Sequence, residues 1–591
     1  MGEPIIERVD ELPLLFYWLF QMRVDVIIDQ VLPYPHPNRQ GLSYGQLALL
    51  FVAYVVYLRN HRLCDMAEWV AQHRVVLAQI THWSISASDV ITSGDHDDRL
   101  GDLLSELGAD EARASEVQRG LGQHLIQAYR LPSALARYDT TSFSVEHAPD
   151  ENGQAAAGLL RRGHSKDHRP DLLQFKQGLG TLDPSGIPIF TNSIAGNAAD
   201  DPLYVPAWRE LKQTLGHSDF LFVADCKAAA LSSRAQIDSE QGYYLFPLPL
   251  TGKVPERLRA WVLQPPREPL PSALQARHPS QPAEPATRVG SGFVVELGLY
   301  APPDGGQTRW HWLERWLVTR SDSLAKRRQS ELEKRLRSAE AELQRLQSQD
   351  FSAAADLLQA AERMLAQRKV SELLSVTVSE TLSEQTRYVG RGRPGPNRAT
   401  EVLTVRRAQL SSGRNAAAIA EAQQLAGWRI HVTNVPAAQM SLAQAIGYYR
   451  DEFLVEHGMH RFKHGSLPAL PLFLQIPERI RGLMLLLFIA LQLLTLLEFV
   501  AQRELAHRQE SLSGLEPANP KRKTQHPSAE RMLARFRGLH WLGEQSGTHL
   551  TGKVVEALTP IQRQILDILA VPETIFALTV AGPADNYQNS T

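Results

Sequence analysis

The stretch Gly447 to Lys463, GYYRDEFLVEHGMHRFK, sets Tyr449, Glu452, Glu456 and Lys463 at intervals of 3, 4 and 7 residues. In a helix those steps return to one face, so the four polar groups form a stripe. A carboxylate with a lysine two turns further on suits a site that holds a divalent metal and a phosphate. A solvated helix with ordinary charge pairs has the same spacing, and by spacing alone Glu452 is as eligible as Glu456. Two aspartates upstream are candidate partners. ALARYDTTSFSVEH (134–147) carries Asp139 in a strand-like run, and DFLFVADCKAAALSS (219–233) is a short, almost wholly apolar strand ending on Asp225. A buried carboxylate without a partner is costly, so each aspartate needs a cation or hydrogen-bond donors.

The elements that must position these acids follow from periodicity. After the Asp139 strand, GHSKDHRPDLLQFKQGLGTLD (163–183) alternates apolar and polar in its second half, as a strand does. GIPIFTNSIAGN (186–197) is a third strand, joined to the second by the turn at 183–186. A helix follows near 203–215, then the Asp225 strand with a helix behind it, then a fifth strand, YYLFPLPL (243–250). Three antiparallel strands, a helix, then a buried strand and helix is the order of an RNase H-like sheet. That order makes the strands of Asp139 and Asp225 neighbours at the sheet centre, where functional groups gather near strand ends.

Residues 1 to about 130 read as helices, with a rigid break at Pro33–Pro37. SGDHDDRL (93–100) reads as a helix N-terminus capped by Ser93 or Asp95. Between 251 and 427, the proline-rich run 265–288 predicts an exposed loop, and SGFVVELGLY and TRWHWLERWLVTR predict strands. A long charged helix or helical hairpin spans 321–369; strands lie near 370–388 and 400–407, and a short helix at 416–428. The loop GRGRPG (390–395) resembles the core of an AT-hook, whose arginines, here Arg391 and Arg393, lie in the narrow minor groove of A·T-rich DNA. WRIHVTNVP (428–436) is a strand that leads into the glutamate helix.

Composition bounds the class. A chain of 591 residues predicts about three or four domains, and 43% hydrophobic with 21% charged residues is the balance of a globular protein with a sizeable core. The net charge of −2 decides nothing about nucleic acid, because local patches matter more than the sum. Two cysteines, Cys64 and Cys226, exclude a disulfide framework or a tetrahedral zinc site and point to a reducing, cytoplasmic setting. The N-terminus lacks the basic-then-apolar order of a signal peptide. Gly482–Leu497 is apolar but shorter than the about twenty residues that cross a bilayer, which predicts a buried core helix rather than a membrane-associated protein.

Taken in order, these pieces resemble a bacterial insertion-sequence transposase of the DDE superfamily, in the branch with a Tyr-x2-Arg-x3-Glu-x6-Lys signature. The matching pieces are YDTTSF around Asp139, GHSKDHRPDLLQ, GIPIFTNSIAGNAAD, FVADCKAA around Asp225, Tyr449…Glu456…Lys463, and the tract PLFLQIPERIRGLMLLLFIAL, together covering roughly 130–500. Only Glu456 leaves Tyr449 and Lys463 at the signature distances; the arginine position holds Glu452, with Arg450 two places earlier. The resemblance implies an α/β fold: an RNase H-like mixed sheet flanked by helices and interrupted by a largely β insertion. It gives a helical N-terminal domain (1–130) for DNA-end binding, core segments at 131–250 and 428–505, the insertion at 251–427, and a basic linker with a helical C-terminal region at 506–591. It implies catalysis by Asp139, Asp225 and Glu456 binding two Mg²⁺ ions, with Mn²⁺ as substitute. Lys463, Tyr449 and Arg450 would meet DNA, with Lys166, His164 and Arg169 as further candidate contacts. The implied partners are the terminal inverted repeats, target DNA and a second copy of the chain, in the bacterial cytoplasm at the nucleoid. A protein derived from such an enzyme that binds DNA without cutting is the alternative.

Overall fold

The computed structural model describes residues 3–33, 41–90, 98–147, 158–265, 272–276, 287–303, 309–347, 353–391, 398–546 and 549–583. The protein is a mixed α/β chain that divides into two compact units, one of residues 1–246, 299–312 and 448–591, the other of 247–298 and 313–447. The helical N-terminal residues thus share a unit with the sheet that carries Asp139, and the second unit runs on to Gly447.

In the first unit, five strands lie in the order Pro188–Ala195, Leu173–Leu182, Leu135–Val145, Leu221–Ala224, Tyr243–Pro247. The first three are antiparallel, whereas Leu221–Ala224 pairs in parallel with Leu135–Val145 on one side and Tyr243–Pro247 on the other. By position in the chain the order is 3-2-1-4-5. All ten residues of Leu173–Leu182 and all four of Leu221–Ala224 are buried, as central strands of a two-sided sheet must be.

The apolar tract is the middle of a 32-residue helix, Pro477–Arg508. By length and composition it could cross a bilayer, but 89% of its most apolar window is buried inside the protein. It packs against Arg99–Ala109, Tyr44–Leu58 and the strand Pro188–Ala195. Glycines let the helices touch: a Cβ on Gly108 would stand 1.9 Å from the Glu478 carbonyl oxygen, and one on Gly482 2.1 Å from that of Leu104. Gln492 Nε2 donates to the Pro188 carbonyl at 2.9 Å, and the Thr495 hydroxyl to that of Leu491 at 2.7 Å, whereas Gln492 Oε1 is buried without a hydrogen-bond partner.

Four expectations are corrected. The C-terminal region has its helix, Pro560–Ile568, but also the strands His540–Ser546, His549–Val554 and Thr579–Pro583, which with Glu3–Arg8 form a four-stranded antiparallel sheet. The proline-rich run holds a strand, Ser272–Ala276, paired with Thr287–Ala301. The cap of Arg99–Ala109 is Asp98, which accepts from the Gly101 amide at 2.9 Å and pairs with Arg479 at 2.6 Å; Ser93 and Asp95 lie outside the described residues. The glutamate helix is two helices, Leu442–Arg450 and Phe453–Lys463. At the break the Tyr448 carbonyl accepts from the Arg137 guanidinium. A strand arginine thus takes a carbonyl that a continuous helix would give to the amide four residues on.

The second unit holds the strand Trp428–Thr433, Trp310–Ser321 from Leu313 onward, Thr287–Ala301 as far as Gly298, and Ser272–Ala276, in that order. The charged segment forms a helical hairpin, Asp322–Gln347 and Ala354–Gln367, and Leu374–Tyr388 pairs with Thr400–Arg414 as a separate two-stranded sheet.

Candidate active site

Asp139 and Asp225 come together by register. Tyr138 pairs with Ala224 in the parallel ladder, so the next residue on each strand is one of the two aspartates. Tyr138 and Ala224 are buried, and both aspartates are half-buried where the ladder ends. Asp225 accepts from the Tyr204 hydroxyl at 2.5 Å and the Lys227 amide at 2.9 Å, capping the short turn of helix Cys226–Ala229. The Tyr204 hydroxyl is in turn pushed well above its ordinary range by burial, then by Asp225, with Asp139 and Asp200 adding.

The helix Phe453–Lys463 lies across Leu135–Val145 and Leu173–Leu182, with Val455, Met459 and Phe462 buried beneath it. Gly458 permits this approach, since a Cβ there would stand 2.9 Å from Leu179. The far end is anchored by Arg461, 3% exposed at its side chain, which bonds Glu498 at 2.5 Å and Glu530 at 2.9 Å. Burial alone would raise the Glu530 carboxyl, but Arg461 and the Ser466 hydroxyl hold it down at about 2.

Electrostatics define the cluster. Asp139 is pushed above its ordinary range by burial; Lys166 and the Thr140 amide pull it back, while Asp225 and Glu456 push it up further. Glu452 is raised by burial, then by Asp139 and Glu456, against the opposing charge of Arg137. Four carboxylates therefore feel one another here, with Glu452 a member that the sequence reading set aside. Glu456 itself is exposed. Among the described residues, no three His, Cys, Asp or Glu groups stand in metal-holding geometry.

Lys166 Nζ donates to the Thr140 carbonyl and, at 3.3 Å, to its hydroxyl, and lies 4.0 Å from Asp139. Lys463 Nζ bonds Asp167 at 2.7 Å and sits 5.7 Å from the centre of the Phe143 ring. The other candidates are less engaged. His164 is exposed in the same loop, Arg169 is paired with Asp171 at 2.8 Å, and Arg450 is exposed next to the helix break. Tyr449 is half-buried on the preceding helix. Arg391 belongs to the second unit, just past the strand Leu374–Tyr388, and Arg393 lies outside the described residues.

Arg137 is the residue that sequence reasoning missed. It is 1% exposed, two places before Asp139 and so on the same strand face, and it bonds both Asp183 and the Tyr448 carbonyl. The signal for it was an arginine inside an otherwise apolar strand, which must find a partner if it is buried. A cavity of about 500 Å³ at the outer sheet edge, lined by Gln118, Thr191 and Ser193 among others, includes none of the three expected acids.

Compared with known protein families the sequence matches none, and no curated protein matches it.

Proposed function

We propose that the chain is a DDE transposase with an RNase H-like core, which cuts DNA at the ends of its insertion element and joins the 3′-hydroxyls to target DNA. The observation that carries this reading is the placement of Asp139 and Asp225 side by side on parallel strands of a 3-2-1-4-5 sheet, under a helix that bears Glu456. The donor set suits divalent Mg²⁺ or Mn²⁺, because it offers hard carboxylate oxygens, and burial, with Asp225 and Glu456 adding, already raises Asp139. Asp139, Asp225 and Glu456 would hold two such ions, which when bound stabilise the attacking and leaving oxygens of an in-line displacement at phosphorus.

The chain's own groups do the rest. Lys166 offsets the charge of Asp139 and holds the carbonyl that follows it. The Tyr204 hydroxyl and Lys227 amide fix the Asp225 carboxylate. Lys463, held by Asp167, exchanges that partner for a DNA phosphate as a point charge. Hydrolysis at the element end frees a 3′-hydroxyl, which attacks a target phosphodiester in the same site. Two element ends call for two copies of the chain. Burial, with Asp225 and Glu456 adding, makes Asp139 hold its proton to higher pH than a free carboxyl, so activity falls as pH drops and it is protonated.

Mg²⁺-dependent nicking of a terminal-repeat duplex tests the reading. Asp139→Asn, Asp225→Asn and Glu456→Gln are each expected to abolish nicking and leave end binding largely intact; wild-type cleavage by any of them would sink it. A wild-type protein that shifts the DNA without nicking it is instead the inactive, transposase-derived binder.

A further inference from the structure

The strands Leu374–Tyr388 and Thr400–Arg414 form an antiparallel ribbon of 15 residues a side, in register from Leu374 opposite Arg414 to Tyr388 opposite Thr400. At about 3.4 Å per residue it is about 50 Å long. Only its base is covered. Leu374 and Leu410 are buried in a cluster with Leu336 and Leu357 of the helical hairpin, and Val378 and Ala408 pack against it. Arg414 pins the base further, bonding Glu333 at 3.0 Å and Glu340 at 2.7 Å. Beyond the pair Glu380–Ala408 the described side chains of both strands are exposed, Leu382 at 68% and Val402 at 57% on the face of the cluster and Leu403 at 37% on the other. A two-stranded ribbon with both faces in water is only marginally stable, and bare strand edges invite pairing. The outer half is explained by a partner that covers it.

Its charge says which partner. Over the described residues 381–391 and 398–407 there are five arginines, Arg387, Arg391, Arg398, Arg406 and Arg407, against two acids, Glu384 and Glu401, a net of 5 − 2 = +3 in a chain of net −2. The face opposite the cluster carries Thr377, Ser379, Thr381 and Gln385, groups that both donate and accept hydrogen bonds, together with Arg387, Arg407, Glu401 and Leu403. We infer that this ribbon is an arm that lies in a groove of duplex DNA, with the face that carries the hydroxyls, Gln385, Arg387 and Arg407 turned into the groove and its arginines in reach of phosphates. The major groove, about 12 Å wide, admits a two-stranded ribbon, and arginines bonded to phosphates fix its position. Pairing with a second copy of the ribbon would bring like charges together, which disfavours that occupant. The inference takes DNA as partner from the reading above but does not depend on the cleavage chemistry.

Two full-length variants test it: Arg387→Gln/Arg391→Gln/Arg406→Gln/Arg407→Gln, which keeps the ribbon, and a shortened arm in which Asn-Gly replaces residues 381–407. Duplex affinity is measured by fluorescence anisotropy across a salt series, in chelator so that nothing is cut. Both variants are expected to bind at least about tenfold more weakly near ~0.1 M salt, with a salt slope shallower by about 0.9 for each phosphate that the arm no longer neutralises. Unchanged affinity and slope in both arm variants would overturn the inference while leaving wild-type nicking, and the enzyme reading, standing. Wild-type protein that fails to bind duplex DNA would overturn both. A dimer seen by sedimentation that disappears on shortening, with DNA affinity intact, would give the ribbon to a second copy and overturn the inference.

Discussion

Arg137 and Asp183 form a buried two-pronged ion pair, the guanidinium Nε lying 2.8 Å and 2.9 Å from the two carboxylate oxygens. The same guanidinium reaches the Tyr448 carbonyl, so one side chain links the Asp139 strand, the turn after the second strand and the break before the glutamate helix. Arg137→Met strands a buried carboxylate and is expected to cost about 3–5 kcal/mol in urea denaturation. Adding Asp183→Asn to Arg137→Met is expected to cost less than the sum of the two single losses. Strict additivity would show that the pair is not coupled.

Glu452 and Glu456 are expected to separate in function. Glu456→Gln removes a proposed ligand and abolishes nicking. Glu452→Gln removes a like charge beside Asp139, so it is expected to leave nicking measurable and move its acid limb to lower pH, because Asp139 then ionises more easily. An equal loss in both variants would make Glu452 a ligand in its own right.

Lys463 is held by Asp167 at 2.7 Å. Asp167→Asn releases it and is expected to tighten element-end binding a few-fold, whereas Lys463→Ala weakens binding and makes it less salt-dependent. If both changes leave end binding untouched, the lysine does not meet a phosphate.

Glu7 and Glu11 are buried, and burial pushes both carboxyls up to about 7 despite the Val75 and Val76 amides on Glu7 and Arg537 near Glu11. The folded protein therefore binds these protons more tightly than the unfolded chain, whose value is near 4.5. The stabilisation is full below about pH 4.5 and is lost as pH rises through about 7. His61, His73 and His431, which burial holds below the ordinary imidazole range, act across the same window with the opposite sign. The expected outcome is therefore a difference: from about pH 4.5 to about 7 the melting temperature of the wild type falls relative to that of Glu7→Gln with Glu11→Gln. Glu530, held at about 2, acts in the acid range below this window. An unchanged pH slope in the double variant would place the effect elsewhere.

Gly108 and Gly482 bring two helices into backbone contact. Gly482→Ala puts a methyl 2.1 Å from the Leu104 carbonyl and is expected to destabilise by about 1–3 kcal/mol, the range for overpacking. A neutral result would show that the helices can part without cost.

Much of the sheet was legible because strand signals are local. The alternation in 173–182, the apolar run before Asp225 and the turn at 183–186 each need only their own neighbours to be read. The buried helix was legible for the same reason, its hydropathy being a property of one segment. The strand Glu3–Arg8 was not. Its pairing partner is His540–Ser546, at the other end of the chain, and no pattern within EPIIER points there.

The sequence by itself determined that Asp139 stands within one strand and Asp225 at the end of another, since alternation and burial act within a few residues. The strand order read from the sequence made their strands neighbours, but only the tertiary structure decided the register that sets Asp139 beside Asp225, because parallel pairing joins segments distant in sequence. It also decided that the helix holding Glu456 begins anew after Glu452, because a guanidinium from another strand takes the carbonyl at the break. Glu452 entered the cluster the same way. Its charge environment is set by Asp139 and Arg137, on a strand more than three hundred residues earlier in the chain.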